Sequence, residues 1–300
     1  MNSFERNTGD QFHNNPLVTI GLPTYNRPVG LKRCLESILL QTYSNVEIII
    51  SDNCSTDNTV QEIIKEYREK DKRIQSFRQS INIGLEENFN FVFAQSNAAY
   101  FIWMSDDDYF DANYIEACMK ELIHNHDYVL CSGVAHYYSD SRFLYTEKMF
   151  LVDQQTPFRR LRTYFSRVDK NGNFYGVFRN KLLSEKPIGL HIGCDWSFMA
   201  KLAILGKLTY TNNTSYHRSA VGNSETKKKM INKFGFNMFR RIFFETYVAY
   251  IVSSNIFNDN SVKNKFSLIA RKRIATMIFF QINYKLFMKF LIKKFETQAD

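Results

Sequence analysis

The chain has 300 residues, of which 44% are hydrophobic and 15% aromatic, including 27 Phe. This composition supplies enough apolar surface for a sizeable core, which excludes a disordered chain or a minimal module and allows one large α/β domain with or without an appendage. The five cysteines lack the close spacing of a zinc site or a disulfide framework, which favours a reducing compartment.

The two ends of the chain differ in charge and hydropathy. Residues 1–15 are polar and lack the apolar core of a secretory signal, so we expect a cytoplasmic protein. The chain contains no stretch of about 18 uncharged apolar residues, so we do not expect a membrane-spanning helix. The formal charge is +9, yet residues 226–300 alone carry 15 Lys and Arg against 4 Asp and Glu, or +11. The basic character therefore belongs to a C-terminal element.

Between residues 17 and 136, apolar runs alternate with amphipathic stretches, which predicts successive strand–helix units around a mainly parallel sheet. The strands are predicted at 17–22, 46–51, 74–78, 99–104 and 128–135. The helices between them are predicted at 29–40, 57–70, 85–95 and 113–124. In an open α/β sheet, ligands bind beyond the carboxyl ends of the strands, so the residues after each strand are the candidate site.

The remaining chain is less regular. Residues 139–193 predict loops and short elements, and residues 195–205 predict a helix that ends at Gly206. The segment after residue 226 predicts two or three basic helices rich in aromatic side chains.

A short, stiff loop, GLPTYNRP, follows the first predicted strand between Pro23 and Pro28. Thr24 and Tyr25 supply hydroxyl groups, and Arg27 supplies a cation that can pair with phosphate oxygens. This mixture suits a nucleoside diphosphate, with Tyr25 lying against the base. The segment alone is equally consistent with an ordinary strand-to-helix turn.

Two aspartates follow the second predicted strand in the sequence SDNCSTDNT, and they predict different roles. Asp52 sits at the carboxyl end of the strand, where a carboxylate can accept the imide proton of a pyrimidine base. Asp57 precedes the next helix, and an aspartate there is far more often an N-cap than a ligand.

Three consecutive carboxylates, Asp106, Asp107 and Asp108, follow Ser105 directly after the fourth predicted strand. Such a cluster repels itself unless a cation compensates it. A hard divalent ion such as Mg²⁺ or Mn²⁺, shared with donor phosphates, is the natural counter-ion, and it would neutralise charge on a departing diphosphate. An acidic, solvent-facing turn is the structural alternative.

The motifs PTYNR, SDNCSTD, NIGLEENFN and SDDD occur in an order that resembles the GT-A domain of family 2 inverting glycosyltransferases, over residues 17–135. The resemblance implies transfer of a sugar from a nucleotide diphosphate donor, with a Rossmann-like α/β fold. It also implies that Asp52 contacts the base, Asp106 the ribose or its neighbour, and Asp107, with Asp108 as a second candidate, the metal.

The resemblance implies three further site residues. Inverting transfer is a single displacement that needs a general base, and Asp195 resembles the catalytic aspartate of the family; a helix N-cap is its structural alternative. In TSYHRSAVGNS, His217 resembles a metal ligand and Arg218 a phosphate partner, although either could be structural.

We therefore predict three regions. A GT-A catalytic domain spans residues 16–225, with a nucleotide-sugar half at 16–136 and an acceptor half at 137–225, and a helical extension spans 226–300. The basic, aromatic composition of the extension suits peripheral contact with the anionic inner face of the cell membrane, and packing on the catalytic domain explains it equally well.

Sequence motifs distinguish a glycosyltransferase from the competing functions. A nucleotidyltransferase would usually carry a glycine-rich phosphate loop, and a nucleic-acid binder would leave the aspartate triplet without a purpose, so no nucleic-acid partner is expected. An inactive nucleotide-binding scaffold stays open, because Ser105 and Cys194 stand where many family members carry acids. The chain lacks the QxxRW string of processive synthases, which favours transfer of one sugar, and the resemblance implies a lipid-linked glycan acceptor in bacterial surface polysaccharide synthesis.

Overall fold

The computed structural model describes residues 15–139, 142–183, 186–220, 235 and 243–296. Its strands are β1 Val18–Thr24, β2 Val46–Asp52, β3 Ile74–Arg78, β4 Tyr100–Trp103, β5 Tyr109–Phe110, β6 Tyr128–Ser139, β7 Arg142–Thr146, β8 Val177–Arg179 and β9 Lys207–Ser219. Its α-helices are α1 Pro28–Leu39, α2 Asn58–Lys70, α3 Leu85–Ala94, α4 Tyr114–His124, α5 Pro157–Arg167, α6 Cys194–Leu205, α7 Phe244–Asn258, α8 Asn260–Lys265 and α9 Leu268–Glu296. Short 3₁₀ turns lie at Gly172–Tyr175 and Asn180–Leu182.

One sheet runs through the molecule in the order β3-β2-β1-β4-β8-β6-β9-β5, and β7 pairs with β6. The first four strands are parallel, as the strand–helix alternation predicts. Beyond β4 the sheet is mixed: β8 is antiparallel to both β4 and β6, whereas β6 and β9 are parallel. The carboxyl ends of β1, β2 and β4 therefore meet at one edge.

Helices cover both faces of the sheet, because the strands carry apolar side chains on both faces. On one face, α1, α2 and α4 pack over a core that includes Leu35, Ile64 and Ile115. On the other face, α3, α5 and α6 share a core with α7 and α9, which contribute Val252 and Ile278. The described part of the extension therefore packs on the catalytic fold, and the boundary at residue 225 stays a prediction.

The ten strands and helices predicted up to residue 205 are present, nearly all with ends within two residues of the prediction. The sequence reading missed a long strand, β9, and a helix, α5. Thr156 caps α5 by accepting from the Arg159 amide at 3.4 Å, and Pro157 occupies its first turn, so a Thr-Pro start signal was present in the sequence.

The predicted tail helices are present at α7, α8 and α9. The first basic run of the tail, at 226–242, lies outside the described residues except for Gly235. Among the described residues, no helix has both the length and the hydropathy needed to cross a membrane.

Candidate active site

A cavity of about 860 Å³ opens at the carboxyl edge of the sheet. Most of the residues predicted for the site line it, and they come from the end of β1 and the loop after it, the loop after β4, the start of α6 and the end of β9. These residues are Pro23, Thr24, Tyr25, Arg27, Asp106, Asp107, Asp108, Asp195 and Arg218.

The loops after β1 and β2 are locked together by Asn26. Its backbone adopts the left-handed conformation, with φ of 53°, which Asn tolerates better than most residues. Its side-chain oxygen accepts from the backbone amides of Thr56 and Asp57 at 2.8 and 3.2 Å. Its backbone amide donates to Ser55 Oγ at 2.9 Å. Asp57 in turn accepts from the Thr59 amide at 3.0 Å, which confirms its predicted role as N-cap of α2.

Asp106 ties the aspartate loop to the loop after β1. Its Oδ2 accepts from Thr24 Oγ1 at 2.9 Å and from the Tyr25 amide at 3.2 Å, and its Oδ1 lies 3.3 Å from Arg27 Nη1. Burial raises the pKa of Asp106 to about 6, and the Arg27 charge opposes that rise. The approach is close: a Cβ at Gly30 would lie 2.3 Å from the Asp106 carbonyl oxygen.

Asp108 ties the same loop to β9. Its Oδ1 accepts from the Ser219 amide at 2.8 Å, and the Tyr216 hydroxyl donates to its Oδ2. Burial, with the neighbouring Asp107 charge, raises the pKa of Asp108 to about 7, although Arg218 Nε lies 3.9 Å away. These contacts place Asp108 as a brace between the loop and the strand.

Asp107 is the most exposed carboxylate of the three, with 18% of its side chain accessible. Arg27 Nη1 donates to its Oδ2 and Ser105 Oγ to its Oδ1. Arg27 is therefore shared between Asp106 and Asp107, and it compensates the repulsion expected in the cluster.

Two predicted ligands lie away from the cavity lining. Asp52 is fully buried, and its carboxylate accepts from the Ser55 amide at 2.9 Å and from Gln61. The next residue, Asn53, lines the cavity in its place. His217 stacks on Tyr109 with ring centroids 4.4 Å apart and lies 2.8 Å from Asp111.

Arg218 faces the cavity from β9. Its guanidinium lies between two tyrosine rings, 5.2 Å from the centroid of Tyr137 and 4.8 Å from that of Tyr175. Its Nη1 donates to the Tyr137 hydroxyl at 2.9 Å. This packing holds a rigid cation where a diphosphate could reach it.

Asp195 lies in the first turn of α6, one residue after the helix begins at Cys194. The N-cap is Gly193, whose φ of 75° is left-handed, so Asp195 is not the cap that the structural alternative required. Asn171 Nδ2 donates to Asp195 Oδ2 at 2.9 Å.

Sequence reasoning missed several lining residues because each is unremarkable alone. Asn82 and Asn88 line the cavity from within the NIGLEENFN motif and Asn53 from within SDNCSTD, so the resemblance of these motifs to the family was the available signal. Tyr145, Lys170 and Asn171 line it from the segment predicted as loops and short elements, and His191 precedes α6.

The residues present can hold a divalent metal ion, but they offer it few protein ligands. Among the described residues, no group of three His, Cys, Asp or Glu side chains gathers as a metal site. Asp107 nevertheless offers a partly exposed carboxylate at the cavity. Mg²⁺ commonly binds through one or two carboxylates together with substrate phosphates, so Asp107 with a diphosphate would be a sufficient set.

Several curated proteins with sequence similarity are named as glycosyltransferases. The chain is 35% identical over 193 residues to glycosyltransferase GlyA of Streptococcus pneumoniae, covering 64% of this chain and 25% of GlyA. It is 24% identical over 172 residues to the Campylobacter jejuni GalNAc(5)-diNAcBac-PP-undecaprenol beta-1,3-glucosyltransferase, covering 57% of this chain and 54% of that enzyme. The chain thus spans only part of the length of these relatives.

Solved structures share the fold. TarS of S. aureus in complex with UDP-GlcNAc superposes with a TM-score of 0.62 at 17% identity, covering 89% of this chain and 72% of that one. The mannosyltransferase PcManGT of Pyrobaculum calidifontis, in complex with GDP-Man and Mn²⁺, gives a TM-score of 0.53 at 14% identity, covering 91% and 87%. The family model Glycosyl transferase family 2 matches residues 19–189, more than half of the chain. The chain, a GT-A fold with a helical C-terminal part, therefore belongs to glycosyl transferase family 2.

Proposed function

We propose that this chain transfers one sugar, with inversion, from a nucleotide diphosphate donor to a hydroxyl of a lipid-linked glycan in surface polysaccharide synthesis. The observation that carries the proposal is the sharing of one cavity by Asp107, Arg218 and Asp195. A cation suited to a diphosphate and a carboxylate suited to a metal ion thus open into the same space as a carboxylate suited to a hydroxyl proton.

The chemistry follows from these positions. The acceptor hydroxyl loses its proton to the Asp195 carboxylate while its oxygen forms a bond to the anomeric carbon. The bond from that carbon to the donor phosphate oxygen breaks, and its electron pair leaves with the nucleotide diphosphate. Arg218, and Arg27 beside Asp107, would stabilise the charge that develops there.

We propose that Mn²⁺ or Mg²⁺ joins the site through Asp107 and the donor diphosphate. When bound, the ion neutralises negative charge on the leaving group. Asp106 and Asp108 would support the site by holding the loop against β1 and β9. His217, whose hydrogen bond goes to Asp111, would act from outside the cavity.

The relatives support the choice of substrates. TarS structures hold UDP and UDP-GlcNAc, PcManGT holds GDP-Man and Mn²⁺, and the Campylobacter enzyme is named for a polyprenyl-diphosphate acceptor. The presence of Asp107 and Asp195 in one cavity favours an active enzyme over the alternative of an inactive scaffold. Family membership favours it over a nucleotidyltransferase.

Thermal shift with a panel of nucleoside diphosphates tests the donor assignment. We expect one diphosphate to raise the Tm by about 5 °C at concentrations near 100 Kd, since such binding adds roughly 2.7 kcal/mol to the free energy of unfolding. The shift should grow with Mn²⁺ and shrink with EDTA. If no diphosphate changes the Tm under either condition, and no nucleotide-sugar is consumed, the proposed function is wrong.

We also propose that α9 meets the anionic surface of the cell membrane. Its buried residues, such as Ile274 and Ile278, pack inward, whereas Phe280, Tyr284 and Phe287 are exposed at 64, 68 and 56%. Exposed Lys272 and Arg273 lie on the same helix. Aromatic side chains beside basic ones suit a membrane interface.

Sedimentation with vesicles of anionic lipid tests this contact. We expect strong binding at low salt that weakens as ionic strength rises, because each basic group near the surface contributes about 1 kcal/mol that salt screens. The double variant Lys272→Gln/Arg273→Gln should bind less. Arg271 is left intact because it donates to the Phe257 carbonyl oxygen at 3.3 Å and supports the fold.

The matched control is Lys65→Gln/Arg68→Gln, which removes the same charge from the exposed surface of α2. It should sediment like the unmodified protein. Equal losses in both variants would indicate a response to net charge alone, and an unmodified protein that stays in the supernatant at low salt would show that α9 does not bind membranes.

A further inference from the structure

A hydrogen-bond chain runs from the buried core to the half-buried Asp195. The Tyr164 hydroxyl donates to Asn171 Oδ1 at 2.9 Å, and Asn171 Nδ2 donates to Asp195 Oδ2 at 2.9 Å. Tyr164 is fully buried and Asn171 is only 5% exposed. A bond between buried groups is less exposed to competition from water than one on the surface.

The direction of this chain is determined by hydrogen-bonding chemistry. An ionised carboxylate can only accept, so the amide must turn its nitrogen toward Asp195 and its oxygen toward Tyr164. The Tyr164 hydroxyl must then donate. Among the described residues, Asp195 Oδ1 has no hydrogen-bond partner, so one carboxylate oxygen is held and the other is available to the cavity.

The backbone of Asn171 is held as firmly as its side chain. It adopts φ 59° and ψ 38°, a left-handed conformation that Asn tolerates better than most residues. Glu147 accepts on both sides of it, from the Lys170 amide at 3.1 Å and from the Gly172 amide at 3.0 Å. Unusual backbone conformations that are this strongly supported concentrate at functional sites.

We propose that Asn171 is a positioning residue that holds Asp195 for proton abstraction from the acceptor hydroxyl, with Tyr164 fixing the orientation of the Asn171 amide. This inference rests on the proposed role of Asp195. It predicts that changes at Asn171 alter the chemical step and leave donor binding intact, because Asn171 contacts the carboxylate, whereas Arg27, Asp107 and Arg218 are the residues proposed for the donor diphosphate.

Asn171→Gly is the first test, since glycine keeps the left-handed backbone and removes the amide. We expect kcat to fall about 10- to 100-fold, the size expected for losing a hydrogen bond to a charged group. Nucleoside diphosphate affinity should stay within about twofold of the wild type. Tyr164→Phe should show a smaller loss in the same direction. Asn173→Ala is the matched control, because Asn173 is a buried asparagine of the same segment whose Nδ2 has no hydrogen-bond partner in the part of the chain that the structure describes.

Asn171→Asp tests the positioning role through the pH profile of kcat, which should not change if Asn171 is purely structural. Aspartate has nearly the same shape and also tolerates the left-handed conformation, but it places a second negative charge beside Asp195. Like charges favour protonation, so the acidic limb of the pH profile of kcat should move to higher pH. His191 also titrates in the cavity, so the readout is the shift between variant and wild type.

The double variant Asn171→Gly/Asp195→Asn separates this inference from the proposed function. If Asn171 acts through Asp195, the double variant should be no slower than Asp195→Asn alone. Asp195→Asn at wild-type activity would overturn the proposed base. An inactive Asp195→Asn combined with wild-type kcat and pH profiles for both Asn171 variants would overturn the positioning role alone. If Asn171→Gly lowers the Tm strongly, the pH profile of kcat for Asn171→Asp becomes the test of the positioning role.

Discussion

Asp195→Asn should lower kcat by a factor on the order of 10² to 10⁴, the usual contribution of a positioned general base. The nucleoside diphosphate shift in Tm should stay unchanged, because Asp195 belongs to α6, whereas the residues proposed to bind the diphosphate, Arg27, Asp107 and Arg218, belong to other elements. An asparagine side chain can still occupy the first turn and face Asn171, but it cannot take the acceptor proton. Initial rates at saturating donor and acceptor, with Tm measured in parallel, check this expectation.

Asp57→Asn is the matched control for this substitution. It makes the same chemical change at a helix N-terminus outside the cavity lining, and Asn caps helices about as well as Asp. It should leave both kcat and the Tm close to the wild type. Wild-type turnover in Asp195→Asn would mean that Asp195 serves the fold of α6 and that another group accepts the proton.

Asp107→Ala should lower kcat/KM by at least about 10²-fold, the scale seen when one group that stabilises developing charge is removed. The part of the nucleotide-induced Tm shift that depends on Mn²⁺ should disappear. Asp127→Ala is the control, since Asp127 is an exposed carboxylate paired with Lys207 away from the cavity. An Asp107→Ala protein that keeps its Mn²⁺-dependent shift would exclude this carboxylate as a ligand.

The same variant should not lose stability in the absence of metal. The pKa values of Asp106 and Asp108 are raised to about 6 and about 7, chiefly by burial, and the charge of Asp107 adds to both. Ionisation of these two groups therefore opposes folding, and their contribution to the free energy of unfolding decreases as pH rises from about 4 to about 7. Removing Asp107 relieves part of that repulsion. With EDTA present, the Tm of Asp107→Ala should match or exceed the wild type at pH 8, and the difference should narrow toward pH 4.

Much of the fold and part of the site were predictable from local pattern. Strands such as β2 are continuous apolar runs bounded by polar turns, and helices such as α2 have a capping residue and a regular apolar face. The carboxyl ends of parallel strands share one edge, so strand order in the chain already brought Arg27 and Asp107 to the same region. Asp57 is an N-cap for reasons contained within four residues of sequence.

Tertiary structure decided what depends on residues far apart in the chain. β9 is polar along much of its length and is a strand because β6 pairs with it. That pairing, with the alternation of side chains along a strand, turns Arg218 into the cavity and His217 toward Tyr109, a choice that two adjacent residues cannot reveal.

The surroundings of Asp195 depend most clearly on the tertiary structure. The sequence determined that an aspartate lies near the start of a helix, and local rules made an N-cap the commoner interpretation. The left-handed Gly193 takes the cap position, and Asn171, from a loop held by Glu147, reaches the carboxylate. A loop residue 24 positions away leaves no periodic trace in the sequence, because a single hydrogen bond depends on where two segments meet and not on the pattern of either one.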